Sequence, residues 1–293
     1  MLETRSDKIT EAVNYALLTL ISLIVLYPLL FVLVASISNP ESVLRGEVWL
    51  WPKDITFVGY ERILGNPEIM RSYGNTIAYT IVGTAVNLVM TIAAAYPLSR
   101  KDFAGRGLFT ALIVFTMFFS GGMIPTYLII KKLGLLGSFW VMIIPSAVSV
   151  WNVIIMRTFF TTGIPVEMQE AAAMDGCTNM QLLMRIVLPL SMPVIAVMVL
   201  FYSVGHWNAY FNALLYLNDR GMYPLQLILR EILVQGQMQE MVDVSDDSLA
   251  RSMMDAEAIK YAAVIVANLP VLMLYPFLQK YFVKGVMIGA VKG

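Results

Sequence analysis

Apolar residues gather into six long runs along this chain, at 12–37, 76–98, 108–130, 139–158, 193–217 and 261–283. A helix that crosses a bilayer needs roughly 20 mostly apolar residues, so each run predicts one transmembrane helix. An even number of spans puts both ends of the chain on one side. Arg5 and Lys8 precede the first run, and the short turn at 99–107 (SRKDFAGRG) is densely basic. Both place the ends inside, because short flanking segments dominate the charge asymmetry across a membrane. The intervening stretch 38–75 is amphipathic and carries Trp49, Trp51 and Tyr60, the pattern of an outer interfacial loop with an aromatic belt. A short turn follows at 131–138, with Lys131, Lys132, Gly134 and Gly137. The largest outer loop is 218–260. It opens on the turn Asn218-Asp219-Arg220-Gly221 and continues through an apolar, helix-spaced segment from Pro224 to Val234. Its remainder is acidic, with Glu240, Asp243, Asp246, Asp247, Asp255 and Glu257. Such a run is a solvated surface or a contact for an external binding protein.

One segment between two apolar runs breaks the pattern. From Pro165 to Pro193 the chain reads PVEMQEAAAMDGCTNMQLLMRIVLPLSMP, two short helices joined at a glycine. Pro165 suits a first helical position, and Glu167 and Glu170 favour the positive end of the helix dipole. Ala171, Ala172 and Ala173 are strong helix formers. Gly176 is a natural stop because it accepts the left-handed conformation. Thr178 with Gln181 three residues on has the form of a capping box and opens the second helix. There Leu182, Ile186 and Leu190 share a face, with Leu183 and Val187 alongside. Pro189 and Pro193 end this helix or kink it into the next span. The pair predicts a helix-turn-helix outside the hydrocarbon.

Composition narrows the function. Of 293 residues, 58% are hydrophobic and only 14% charged, and mean hydropathy is +0.72, values of a multi-spanning membrane protein. Lys+Arg and Asp+Glu both number 20, so no basic footprint for nucleic acid appears. The single cysteine, Cys177, and single histidine, His206, argue against an internal disulfide or a metal centre. The first apolar run is too long for a cleavable leader and lacks a small-residue cleavage pattern, so an anchor is expected there. No phosphate-binding GxxxxGK[ST] loop and no HExxH or GxSxG motif occurs. No cofactor is therefore expected, and any ATP hydrolysis must come from another subunit. No span carries a carboxylate near its centre, against the usual requirement of a proton-coupled carrier.

Polar side chains at membrane depth face the bundle or a water-filled path. The first candidates are Trp207, Asn208, Tyr210 and Asn212 in the fifth run, where Asn208 and Asn212 stand four apart. Amides beside aromatic rings suit a sugar, with hydroxyls on its rim and C–H groups on its faces. Asn87 in the second run, and Trp151 and Asn152 in the fourth, are further candidates. Interhelical packing and hydrogen bonding are the alternative for all seven. His206 is expected to pack rather than to relay protons.

The sequence Glu170-Ala171-Ala172, then Gly176, Ile186 and Leu188-Pro189 at fixed spacing matches the EAA-loop signature at every position. It resembles the cytoplasmic loop of permease subunits of bacterial type I ABC importers. Tyr96-Pro97-Leu98-Ser99-Arg100 before a short basic turn is similar to the end of that family's second span, and Gly285 with the tail Gly289-Ala290-Val291-Lys292-Gly293 to the closing tail of its sugar permeases. The likeness is to the carbohydrate branch, and to the second, six-span permease of a heterodimeric pair.

The resemblance implies an all-α polytopic fold with six transmembrane helices in a bacterial cytoplasmic membrane. It divides the chain into an anchor span with outer loop (1–70), a transmembrane domain (71–283) containing the coupling loop 165–193, and a cytoplasmic tail (284–293). It assigns ATPase coupling to Glu170, Ala171, Ala172, Asp175, Gly176, Ile186, Leu188 and Pro189, and an ATPase contact to Gly289, Lys292 and Gly293. Glu170 would pair with a basic ATPase residue, and the two alanines would permit close docking. Implied partners are a second permease, two ATPase subunits and an extracytoplasmic solute-binding protein. The outer-loop sequence Tyr223-Pro224-Leu225-Gln226-Leu227 resembles a subgroup taking oligosaccharides, including acidic ones such as alginate or pectin fragments. A permease for peptides or another solute, or a self-contained carrier, is the alternative.

Overall fold

The computed structural model describes residues 5–240, 254, 256–273, 276 and 279. The tail positions Gly289, Lys292 and Gly293 lie outside this set, as do Asp243, Asp246, Asp247 and Asp255. Helices account for every regular element among the described residues. In order they are α1 (Arg5–Ser36), α2 (Pro40–Leu44), α3 (Val58–Gly65), α4 (Pro67–Ser99), α5 (Arg106–Phe118), α6 (Met123–Lys132), α7 (Val150–Thr162), α8 (Val166–Met174), α9 (Asn179–Leu182), α10 (Leu188–Leu190), α11 (Met192–Trp207), α12 (Phe211–Tyr216) and α13 (Leu225–Glu240). The last, α14 (Ala256–Met273), begins five residues before the run that predicts it.

Among the described residues three helices are long and apolar enough to cross a membrane: Lys8–Ser36 within α1, and the whole of α4 and α14. The number is up to six if each bent pair counts as one span. The runs expected as single helices at 108–130, 139–158 and 193–217 are interrupted. Between α5 and α6 the axis turns by 112°, because Ser120-Gly121-Gly122 stops the helix and Gly122 has φ +83°. Two 3-10 turns, Phe139–Met142 and Ile144–Ser146, meet α7 at 54°; Pro145 lies at this junction. The run 193–217 breaks at 208–210, between α11 and α12; the 80° bend between α9–α10 and α11 lies before it, where Pro189 and Pro193 predict a kink.

The described residues form two compact units, one drawn from 5–70 and 229–269, the other from 71–228 and the described positions after 269. The described residues of 229–269 cluster with the first of these units. There Ala35, Val43 and Val48 form a small core against Phe31, Val34 and Tyr261. Tyr60, expected in an interfacial loop, instead bonds its hydroxyl to Ser36 Oγ at 2.8 Å. Trp49 and Trp51 are exposed. Glu257, expected on a solvated acidic surface, is 8% exposed and pairs with Lys260 at 3.2 Å. The reason is its place in the first turn of α14 rather than in a loop.

Among the described residues of the second unit, two cores stand out. One gathers Ala95, Met156, Phe160, Leu183, Val187 and Met198 around the end of α4. The other gathers Tyr79, Ile130, Val141, Tyr216 and Leu227. The segment before α13 is fastened to α4 by polar bonds: Asn75 Nδ2 donates to the carbonyls of Gly221 and Tyr223, Tyr79 Oη to that of Met222, and Leu225 N–H to Thr76 Oγ1. These satisfy backbone groups that would otherwise be orphaned in a turn.

Candidate functional site

The segment 165–193 folds as local chemistry demands. Pro165 stands one residue earlier than expected, as the N-cap of α8 with ψ 138°, an extended value that closes the preceding turn. At the other end Cys177 N–H donates to Ala172 O and Gly176 N–H to Ala173 O. With Gly176 at φ +77° this is a Schellman motif. Thr178 then caps α9 reciprocally: its N–H donates to Gln181 Oε1 at 2.9 Å, and Gln181 N–H to Thr178 Oγ1 at 3.3 Å. The expected capping box is present.

Beyond α9 the helix departs from expectation. Leu183–Val187 is a π turn, which adds a residue per turn and rotates the face that follows. Leu182, Leu183 and Val187 are therefore buried, whereas Ile186 is half-buried and Leu190 exposed. Ser191, fully buried and with no partner for its hydroxyl among the described residues, marks the break before α11. Such bulges are enriched at functional sites.

Of the expected coupling residues, Glu170, Ala171, Asp175, Gly176 and Pro189 are exposed, and Leu188 is half-buried. Ala172 is not available to a partner. It is 6% exposed and packs in the core beneath α8, because its position puts it on the helix face turned inward. Glu170 lines a groove of about 220 Å³ with Ser99, Arg100, Asp102, Thr161 and Gln169. Arg100 is spread across this groove. Its Nη1 donates to Gln169 Oε1 at 2.8 Å, while Nε and Nη2 take both oxygens of Asp102 at 2.9 and 3.0 Å. The hydrogen-bonded guanidinium holds the Asp102 carboxyl below the usual range, and Asp102 in turn raises Arg100. Nearby, Tyr96 Oη donates to Asn179 O at 3.1 Å and Arg157 Nε to Leu98 O at 3.0 Å.

A second site lies deeper. Asn87 precedes the end of α4 by about 18 Å of helix, at 1.5 Å per residue. With Ser146, Ser149, Asn152, Tyr202, His206 and Asn212 it lines a cavity of about 320 Å³. That volume is at the lower end for small-molecule sites, and its polar lining is amide, hydroxyl and imidazole. Asn87 is fully buried and its hydrogen bonds fix its orientation: Nδ2 donates to Ser146 O, so Oδ1 accepts from His206 Nε2, both at 2.6 Å. His206 packs against a hole left by Gly83, where a Cβ would lie 2.4 Å from Nε2. Below it Thr91 Oγ1 and Tyr202 Oη are bonded at 2.6 Å.

Three of the seven pathway candidates meet in this cavity: Asn87, Asn152 and Asn212. The other four do not. Trp207 is buried edge-on against Tyr73 at 5.7 Å, and Trp151 is exposed on the outer side of α7. Asn208 does not share a helix face with Asn212, because α11 ends there: its N–H and its Nδ2 both return to Val204 O. Tyr210 follows the same break and is exposed. Sequence reasoning missed Ser146, Ser149, Tyr202 and the pairing of Gly83 with His206. A glycine within an apolar run was the one visible signal of that close approach.

Residues 87–288 match the family described as the inner membrane component of binding-protein-dependent transport systems. Protein LplC of Bacillus subtilis (strain 168) is 40% identical over 293 residues, covering 100% of this chain and 98% of that protein. The polygalacturonan/rhamnogalacturonan transport system permease protein YtcP of the same organism is 40% identical over 292 residues, covering 98% of this chain and 99% of that one. A crystal structure of a bacterial ABC transporter involved in import of the acidic polysaccharide alginate contains a chain of the same fold. It is 35% identical, with TM-score 0.86, over 96% of this chain and 99% of that chain. The helical fold, the coupling-loop signature and the extent of these matches agree, and the chain belongs to the family of binding-protein-dependent transport system inner membrane components.

Proposed function

We propose that this chain forms half of the translocation pathway of an ATP-driven importer for an acidic oligosaccharide. A second permease supplies the other half, two ATPase subunits bind and hydrolyse ATP, and an extracytoplasmic solute-binding protein delivers the sugar. The chain itself uses no cofactor. Both termini and the segment 165–193 lie on the cytoplasmic side, in agreement with the basic turn at 99–107. One observation carries the substrate class. YtcP is named for polygalacturonan/rhamnogalacturonan transport and the 35% identical structure for import of the acidic polysaccharide alginate, and both likenesses run nearly the whole length of this chain.

The site chemistry is compatible with a sugar in transit. Asn152, Asn212, Ser146 and Ser149 line the cavity with amide and hydroxyl groups, while Asn87 is held in its wall by Ser146 and His206. Among the groups lining this cavity none is a Lys or Arg, so the second permease or the binding protein supplies the cations that attract the uronate. ATP closes the ATPase dimer, the clefts holding the coupling loops approach, and the pathway opens outward; hydrolysis reverses this. Glu170, exposed at the groove, pairs with a basic ATPase residue, Ala171 lets the surfaces approach, and Leu188-Pro189 joins the loop to α11.

The test is co-purification in mild detergent followed by ATPase and uptake assays in liposomes. Hydrolysis stimulated by binding protein loaded with oligogalacturonate or alginate fragments, but not with a neutral oligosaccharide, is the expected result. A chain that purifies alone and moves solute without ATP overturns the importer reading.

A further inference from the structure

We infer that Arg100 is a positioning residue that fixes the orientation of the coupling helix α8 relative to the transmembrane helix α4, and thereby sets how tightly ATP hydrolysis is tied to sugar movement. This rests on the importer reading above.

The two arms of the coupling loop are held by different means. The arm from α9 to α10 is anchored by burial, since Leu182, Leu183 and Val187 sit in the core with Ala95, Tyr96 and Leu98 of α4. Tyr96 Oη adds a bond to Asn179 O. The α8 arm has little of this. Ala172 is its only buried side chain, and an alanine removes little apolar surface from water. The polar bond that α8 makes across to the end of α4 is Gln169 Oε1 with Arg100 Nη1.

The geometry of that bond depends on a guanidinium. Asp102 occupies Nε and Nη2 as a bidentate partner, which leaves Nη1 aimed at α8. The arginine side chain is 19% exposed and Asp102 64%, so the shared group lies between α8 and the solvent-facing turn. A lysine presents a point charge and cannot fill both roles. With the bond in place α8 follows the end of α4 as a rigid lever. Without it α8 turns about its alanine contact, and motion imposed on Glu170 no longer reaches the span.

The experiment uses the complete importer in liposomes, with binding protein and sugar, and reads ATP hydrolysed per sugar transported. Arg100→Ala and Gln169→Ala should each raise this ratio by about tenfold, the order expected when one hydrogen bond to a charged group is lost. The double variant should go no further than either single, and Gln169→Glu, which keeps an acceptor for Arg100, should retain the wild-type ratio. A merely structural lesion would lower complex yield, or both rates together, without moving the ratio. Because Gln169 is at the surface of α8, its two variants remain informative if Arg100→Ala fails to assemble. An unchanged ratio in every variant, or a Gln169→Glu variant as uncoupled as Gln169→Ala, overturns the inference while leaving the importer intact. A wild-type complex whose uptake needs no ATP overturns the importer reading and the inference with it.

Discussion

Gly83 and His206 show how a single absent methyl group shapes the wall of a polar cavity. A Cβ on Gly83 would stand 2.4 Å from His206 Nε2 and 2.5 Å from Cε1, well inside contact distance. The ring cannot turn aside freely, because Nε2 donates to Asn87 Oδ1 and Asn87 is itself held by Ser146 O. Gly83→Ala should therefore break the His206–Asn87 bond and leave two buried polar groups unpaired. The expected loss is about 1–3 kcal/mol, read as a lower thermal midpoint of the detergent-solubilised protein. Adding His206→Ala in the same chain makes room for the new methyl and should recover part of it. An unchanged midpoint for Gly83→Ala would mean that the imidazole shifts without consequence and that the cavity wall is soft there.

At the scale of elements, the turn between α8 and α9 depends on two separable devices. Gly176 has φ +77°, and no atom of the described residues lies within 4 Å of where its Cβ would be, so Gly176→Ala meets backbone strain of about 1–2 kcal/mol. Thr178→Ala removes a cap, worth about 1 kcal/mol. Both should loosen the turn to a similar extent, seen as faster amide exchange in α8 and α9; full protection in Gly176→Ala would show that the left-handed residue is dispensable. These devices were legible in the sequence because they are local: Gly176 after an alanine run, and Thr178 three residues before Gln181. The interruptions of the apolar runs were not read, although Ser120-Gly121-Gly122 lies in plain view, because hydropathy summed over a window is insensitive to a break of a few residues. The π turn at Leu183–Val187 has no comparable signature. Spacing arguments then failed wherever the helix failed. Asn208 and Asn212 are four apart in sequence but lie on opposite sides of the end of α11. Asn87 and Asn152 stand out in the sequence because a buried amide in an apolar run needs a partner wherever it points. That the partners include Ser146 and His206 is a tertiary fact.

For the molecule as a whole, the surrounding medium completes the apolar packing. From Val13 to Leu33 nearly every large apolar side chain of α1 is exposed, and none of its most hydrophobic window is buried within the chain. In water such a surface would be untenable; against lipid tails it needs no protein cover. Leu23 lies near the middle of this helix and is 61% exposed, whereas Trp51, 81% exposed, lies in the segment between α2 and α3. The two positions separate exposure to lipid from exposure at the membrane surface. Leu23→Arg should lower the membrane-integrated fraction, since an arginine at a helix centre carries an insertion penalty of about 2.5–3.5 kcal/mol. Trp51→Arg should leave integration unchanged, because a charge there reaches water directly. Carbonate extraction of membranes expressing each variant measures the difference. Equal integration of the two would mean that position 23 of α1 faces a polar path or a protein partner instead of lipid, and the outward face of α1 would then belong to the assembly rather than to the bilayer.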